Sequence, residues 1–206
     1  MRRLPAGIIL PISLAALAVI VLAVKGYIPP GPSCDGSLLK IIIYTDFECG
    51  ACGRLHSEVE PELRERYVAT GKAQIEVRLL GAMSPDSRRA VEAALCAGDQ
   101  GKLSEYTNAL FDAYRAYSEG EDTDVFSAEA LTSLAADLDL DGAALASCMN
   151  SGTKKAQVEE NMNMAQANGV STLPALLVGD FKIEGYKPLD TYTEAIDTVL
   201  IAQPSR

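Results

Sequence analysis

The run Leu38-Leu39-Lys40-Ile41-Ile42-Ile43-Tyr44-Thr45-Asp46-Phe47-Glu48-Cys49-Gly50-Ala51-Cys52 hands an apolar segment directly to a pair of closely spaced cysteines. Leu38 to Tyr44 is broken only by Lys40, the pattern of a strand covered on both faces. After the cysteines, Leu55, Val59, Leu63 and Tyr67 recur four apart, which predicts a helix from Cys52 to about Thr70. Pro61 lies inside that helix and should kink it. Gln74 to Leu80 then alternates, with Ile75, Val77 and Leu79 on one side, and reads as a second strand. A strand, a helical crossover and a strand predict a parallel βαβ unit.

The chemistry sits at the joint of this unit. Cys49 and Cys52 lie where a strand gives way to a helix, the edge at which α/β sheets place their sites. Free N–H groups and the dipole at a helix start stabilise a thiolate, so the thiol pKa there falls below its usual ~8.5. Two intervening residues bring the second sulfur within one turn of the first. Cys49 is then the exposed sulfur that is attacked, and Cys52 resolves the mixed disulfide. A static bridge and half of a zinc site are the alternatives. Four-thiolate zinc needs a second close pair, and Cys96 and Cys148 are far apart in separate helical segments. His56, four residues past Cys52, could move a proton or simply pack.

From Pro85 to about Gly169 the chain reads as helical throughout, with breaks near Gly98, Gly120, Gly142 and Gly152. Ser127 and Asp141 suit N-caps and Gly169 a C-terminal stop. Pro174 to Val178 is a strand, Gly179-Asp180 a turn, and Phe181 to Glu184 its hairpin partner. A last helix runs from about Leu189 to Ile201. The order is β-α-β, a long helical stretch, then β-β-α.

With both segments in view, Tyr44-Thr45-Asp46-Phe47-Glu48-Cys49-Gly50-Ala51-Cys52 resembles the active-site segment of DsbA-like thiol:disulfide oxidoreductases of the thioredoxin superfamily. Val170-Ser171-Thr172-Leu173-Pro174 resembles their second signature. The resemblance implies a thioredoxin-like α/β fold with a helical insertion at about 85–169. It also implies that Pro174 is cis and faces the cysteines, and that Leu173 contacts substrate through its backbone. Cys49 and Cys52 would form the redox-active disulfide, and no cofactor or metal is called for. The chain departs from the family at two points. Gly50-Ala51 replaces the Pro-His of strong oxidants, and Ile43 stands where many relatives carry a buried glutamate that relays protons to the second cysteine. Asp46 and Glu48 should raise the Cys49 pKa, with Arg54 offsetting them in part. A milder oxidant than the family prototype is expected.

The first 25 residues have a different character. Gly7 to Val24 is an uncharged apolar run behind Arg2 and Arg3, about 27 Å long as a helix, enough for a bilayer core. This is longer than the apolar region of a signal peptide, so residues 1–25 read as one uncleaved transmembrane helix, with a cleaved signal as the alternative. The arginines stay cytoplasmic and the domain at 38–203 lies outside the cell membrane, beyond a Pro/Gly-rich linker at 26–37. In that compartment disulfides persist, and Cys96 and Cys148 are expected to form a structural bridge, while Cys34 in the linker is left over.

Removing Arg2, Arg3 and Lys25 from the 18 basic residues leaves 15 against 28 acidic ones, a net charge of −13. Such a domain repels phosphate backbones, which excludes nucleic acid as a partner. A single histidine excludes multi-histidine metal sites and argues against a Ser-His-Asp hydrolase. Met162 and Met164, two apart, do not share one helical stripe, which favours packing over metal binding. The resemblance to DsbA-like oxidases thus implies exchange of disulfides with exported proteins, most simply as an oxidase recharged by a membrane partner such as a quinone-linked reoxidase. A reductase or isomerase of the same fold, and a Cu(I) metallochaperone using the same two thiolates, are the rivals.

Overall fold

A computed structural model describes residues 38–120 and 124–202. The expected membrane segment at 1–25, the linker at 26–37 and Cys34 lie outside the described residues. Among the described residues no helix is long and apolar enough to cross a membrane.

Strand β1 (Leu39–Thr45) leads into a helical run of four consecutive pieces: α1 (Gly50–Arg54), a π-helical segment (Leu55–Val59), α2 (Glu60–Leu63) and a second π-helical segment (Arg64–Val68). Strand β2 (Ala73–Leu79) returns parallel to β1, from Leu39↔Ala73 to Thr45↔Leu79. Five helices follow: α3 (Pro85–Asp99), α4 (Leu103–Ser118), α5 (Ala128–Asp137), α6 (Gly142–Ser151) and α7 (Lys155–Ala167). The chain closes with β3 (Ala175–Val178), β4 (Phe181–Glu184) and α8 (Leu189–Ala202). The sheet order is β2-β1-β3-β4, with β3 antiparallel to β1 and β4 antiparallel to β3. The expected thioredoxin-like α/β order and its helical insertion are therefore present.

The stripe Leu55, Val59, Leu63 and Tyr67 is buried, as its spacing predicts, against Ile41, Ile43, Leu176 and Val178 of the sheet and Tyr192 and Ile196 of α8. A second core lies within the insertion. Helix α3 is buried almost all round, through Ala90, Val91, Ala93, Ala94, Leu95, Cys96 and Ala97, and so is its central helix. Cys96 and Cys148 are bridged, with Cα atoms 5.9 Å apart, tying α3 to α6. Ser127 and Asp141 cap α5 and α6 by accepting from the N–H of Ala130 and Ala144.

Pro61 acts differently from the simple kink expected of it. The chain widens into a π turn just ahead of the proline, where the Glu60 N–H reaches back to the Leu55 carbonyl. Pro61 then occupies the first turn of α2, where a missing N–H costs nothing. The break expected near Gly98 is present, at Gln100–Lys102 just after Asp99, where Gly101 takes positive φ. Met162 and Met164 both border the core, and each sulfur accepts from an arginine, Arg88 and Arg78 respectively.

His56 joins the first helical run to the insertion. Its Nδ1 lies 3.1 Å from Glu60 Oε2, its Nε2 lies 2.8 Å from Asn108 Oδ1 on α4, and its ring stacks on Phe111. Both ring nitrogens face oxygen acceptors, an arrangement satisfied by the doubly protonated ring. Burial alone would lower the His56 pKa; the hydrogen bond and charge of Glu60, helped by Asn108, outweigh it and hold the pKa above 6.5. Burial likewise pushes Glu60 up, but His56 and Arg64 more than reverse this, and its pKa lies below 4.5.

Two predictions follow from this packing. Removing both members of the second bridge (Cys96→Ser with Cys148→Ser) should lower unfolding free energy by about 2–4 kcal/mol in a urea titration while leaving thiol exchange in place. The His56 contribution is full below its unfolded pKa and is lost as pH rises through the raised folded value. That of Glu60 is present above 4.5 and lost as pH falls through its lowered value. The Tm difference between the native chain and His56→Asn should therefore be greatest near pH ~5.5 and shrink by pH ~8. A difference independent of pH would contradict this pairing.

Candidate active site

Asp46 and Phe47 build the turn that carries the cysteines. Asp46 is fully buried at the end of β1, and its carboxylate gathers four donors. Oδ1 accepts from the Glu48 N–H (3.0 Å) and the Ser87 hydroxyl (2.5 Å); Oδ2 accepts from the N–H groups of Ala82 (2.7 Å) and Met83 (3.3 Å). One side chain thus closes its own turn and ties it to the loop after β2 and the start of α3. Phe47, also fully buried, points into the insertion between Phe111 and Phe126, with ring centroids 4.9 and 6.4 Å away.

Cys49 then caps the helical run. Its sulfur accepts from the Cys52 N–H at 3.2 Å, and its carbonyl accepts the Cys52 and Gly53 N–H groups. The two cysteines are joined, with Cα atoms 5.1 Å apart. Their exposure differs: Cys52 is completely buried, whereas Cys49 is only partly covered. Gly50 is exposed, and a Cβ added there would meet no heavy atom within 4 Å. A cleft of about 320 Å³ opens beside it, lined by Gly50, Arg54, His56, Phe111 and Tyr114 among others. Burial first, then the negative charge of Glu48, raises the Tyr114 pKa, so its phenol stays protonated beside the cysteine turn.

The sheet brings the proline to the same edge. β1 and β3 are antiparallel and end on the pair Tyr44↔Ala175. Chain leaving β1 towards Cys49 and chain entering β3 through Leu173 and Pro174 therefore share one end of the sheet. The Leu173–Pro174 peptide is cis. The Pro174 carbonyl accepts from the Gly185 N–H at 2.8 Å, and Leu173 packs on the same core as Cys49, Phe47 and Cys52. Cys49, Cys52, Leu173 and Pro174 are thus gathered around one sheet edge.

The structure adds partners to three of the residues singled out in the sequence. Asp46, read as a charge acting on the thiol, is the structural knot of the turn; the Asx-type bond to Glu48 was the available sequence signal. Arg54, expected to offset the acidic residues, lies over the Tyr186 ring at 4.2 Å, and the Tyr186 hydroxyl donates to Glu58. His56 has both nitrogens engaged by Glu60 and Asn108, so it serves packing. Ile43 is fully buried in an apolar core, with no carboxylate in its place. Among the described residues no cluster of His, Cys, Asp and Glu could hold a metal ion.

No curated protein matches the sequence. Solved structures do match the fold. Oxidised BdbD from Bacillus subtilis superposes with TM-score 0.68 at 18% identity, over 81% of this chain and 90% of its own. DsbA from Chlamydia trachomatis gives 0.68 at 22% identity, over 88% and 99%. Wolbachia pipientis alpha-DsbA1 gives 0.67 at 21% identity, over 82% and 88%. The fold, helical insertion included, is similar to that of these DsbA structures, and a thioredoxin family domain spans residues 37–198, so the chain belongs to the thioredoxin family.

Proposed function

We propose that the protein is a thiol:disulfide oxidoreductase that oxidises exported protein thiols through Cys49 and Cys52. The unequal burial of the two sulfurs carries this reading, since only Cys49 can be met by an incoming thiolate. The substrate thiolate attacks Cys49 Sγ, a mixed disulfide forms, and the Cys52 sulfur leaves with the electron pair. A second substrate thiolate then attacks the substrate sulfur of the mixed disulfide. Cys49 departs as a thiolate, and the substrate keeps the new disulfide. Two electrons pass to the protein, which ends as a dithiol. The N–H of Cys52 aimed at the Cys49 sulfur stabilises that thiolate and favours the forward direction. Leu173 offers its backbone to the extended substrate, and Pro174, lacking an N–H, leaves the sulfur pair unobstructed.

In this reading the segment at 1–25 tethers the domain to the outer face of the cell membrane, where a quinone-linked reoxidase withdraws the electrons. The weaker dipeptide, Gly50-Ala51, and the absence of a carboxylate at Ile43 support a mild oxidant. They also keep a reductase or isomerase of the same fold as the second reading.

Equilibration of the full-length chain with glutathione tests the direction. A potential between about −120 and −230 mV is expected, and one near −270 mV would assign the chain to reduction instead. Cys49→Ser should abolish exchange with a peptide dithiol. Cys52→Ser should accumulate a mixed disulfide when its Cys49 thiolate opens the disulfide of the oxidised peptide, visible as a mass increment removed by dithiothreitol. Exchange surviving in Cys49→Ser would overturn the assignment of the attacking sulfur.

A further inference from the structure

The segment leading to the proline, Gly169 to Leu173, is exposed or half-exposed and contains no helix or strand, yet it must present Leu173 in one orientation. Its shape is held from the neighbouring edge strand. On β4, Lys182 and Glu184 are two apart and share one face, while Ile183 between them is buried on the other. Glu184 Oε1 accepts from the Ser171 N–H at 2.5 Å and from the Thr172 N–H at 3.1 Å, and the Ser171 hydroxyl donates to the same carboxylate at 3.2 Å. Lys182 Nζ donates to the Gly169 carbonyl and lies 3.9 Å from Glu184 Oε2. The Gly185 N–H, next along the chain, holds the Pro174 carbonyl.

Lys182 and Glu184 of one strand, with Gly185 just past its end, therefore grip both ends and the middle of the proline loop. Charges on an edge strand ordinarily point to water and discourage pairing with another sheet. Here both turn sideways onto backbone groups of one loop. Two successive N–H groups aimed at one carboxylate form an anion nest whose occupant is supplied by the protein itself. Gly169 completes the fit: its φ is +63°, and a Cβ there would come within 3.4 Å of Lys182 Nζ.

We propose that Glu184, backed by Lys182, is a positioning residue that fixes the Ser171–Leu173 backbone in the conformation from which Leu173 pairs with an extended substrate. This rests on the oxidoreductase reading for its substrate, but the clamp itself can be observed without it. Glu184 touches neither sulfur nor substrate. Its loss should weaken substrate capture and leave the Cys49–Cys52 couple untouched.

The test compares the full-length chain with Glu184→Ala and Glu184→Gln. Glutamine keeps a carbonyl oxygen where the carboxylate oxygen accepts. With a peptide dithiol as substrate and glutathione disulfide as oxidant, Glu184→Ala should raise KM about fivefold with kcat within about twofold, and Glu184→Gln should recover most of the loss. The equilibrium constant with glutathione should stay the same in all three. Amide hydrogen exchange at Ser171 and Thr172 should quicken about tenfold or more in Glu184→Ala. An unchanged KM, a shift in the glutathione equilibrium, or a glutamine variant no better than alanine would overturn the proposal. Should the native chain exchange no thiols, the oxidoreductase reading fails by itself. Unchanged amide exchange in Glu184→Ala would then separately overturn the clamp, and accelerated exchange would sustain it.

Discussion

The antiparallel ladder between β1 and β3 is the constraint on which the site depends. It aligns two segments about 130 residues apart so that one runs out of the sheet where the other runs in. Nothing local could place Cys49 beside the proline loop, because the whole insertion lies between them. The ladder is central in the sheet, flanked by β2 and β4, and its residues Ile41, Ile43 and Leu176 are fully buried. Its register is therefore set by the core: a slip of one residue would turn these side chains outward.

The insertion is built into the turn rather than laid on it. Phe47 enters its core one residue after Asp46 has bonded to the loop after β2 and to Ser87 of α3. Apolar burial and a fully satisfied buried carboxylate thus act on adjacent residues, and together they leave the turn one conformation. A buried carboxylate is tolerable only when its oxygens find donors, and here each finds two. His56, Glu60, Arg64 and Asn108 extend the same join further along the first helical run.

Elements dominated by one local signal were legible in the sequence. The stripe Leu55, Val59, Leu63 and Tyr67 gave the first helical run its buried face, and the alternation around Val77 gave β2. Ser127 and Asp141 marked helix starts because their side chains act within three residues. The pairing of Cys96 with Cys148 was expected from the exported compartment that the sequence suggested and from the count of leftover cysteines. What escaped were side-chain contacts made with partners that no local pattern announces. The role of Asp46 requires Ala82, Met83 and Ser87. Arg54 is diverted by Tyr186, far along the chain, and the π turn before Pro61 reflects how a whole helical run accommodates one missing donor. Lys182 and Glu184 look like ordinary edge-strand charges until the loop they hold is seen beside them.

Between the sulfurs, Gly50 has no packing part in this framework. Gly50 faces open space, and the groups that lock the turn, Asp46 and Phe47, come before the first cysteine. Gly50 is thus free of packing constraint while sitting beside the paired sulfurs. A side chain could be placed at that position without repacking the scaffold, so what stands next to the sulfurs is free to vary independently of what holds the turn.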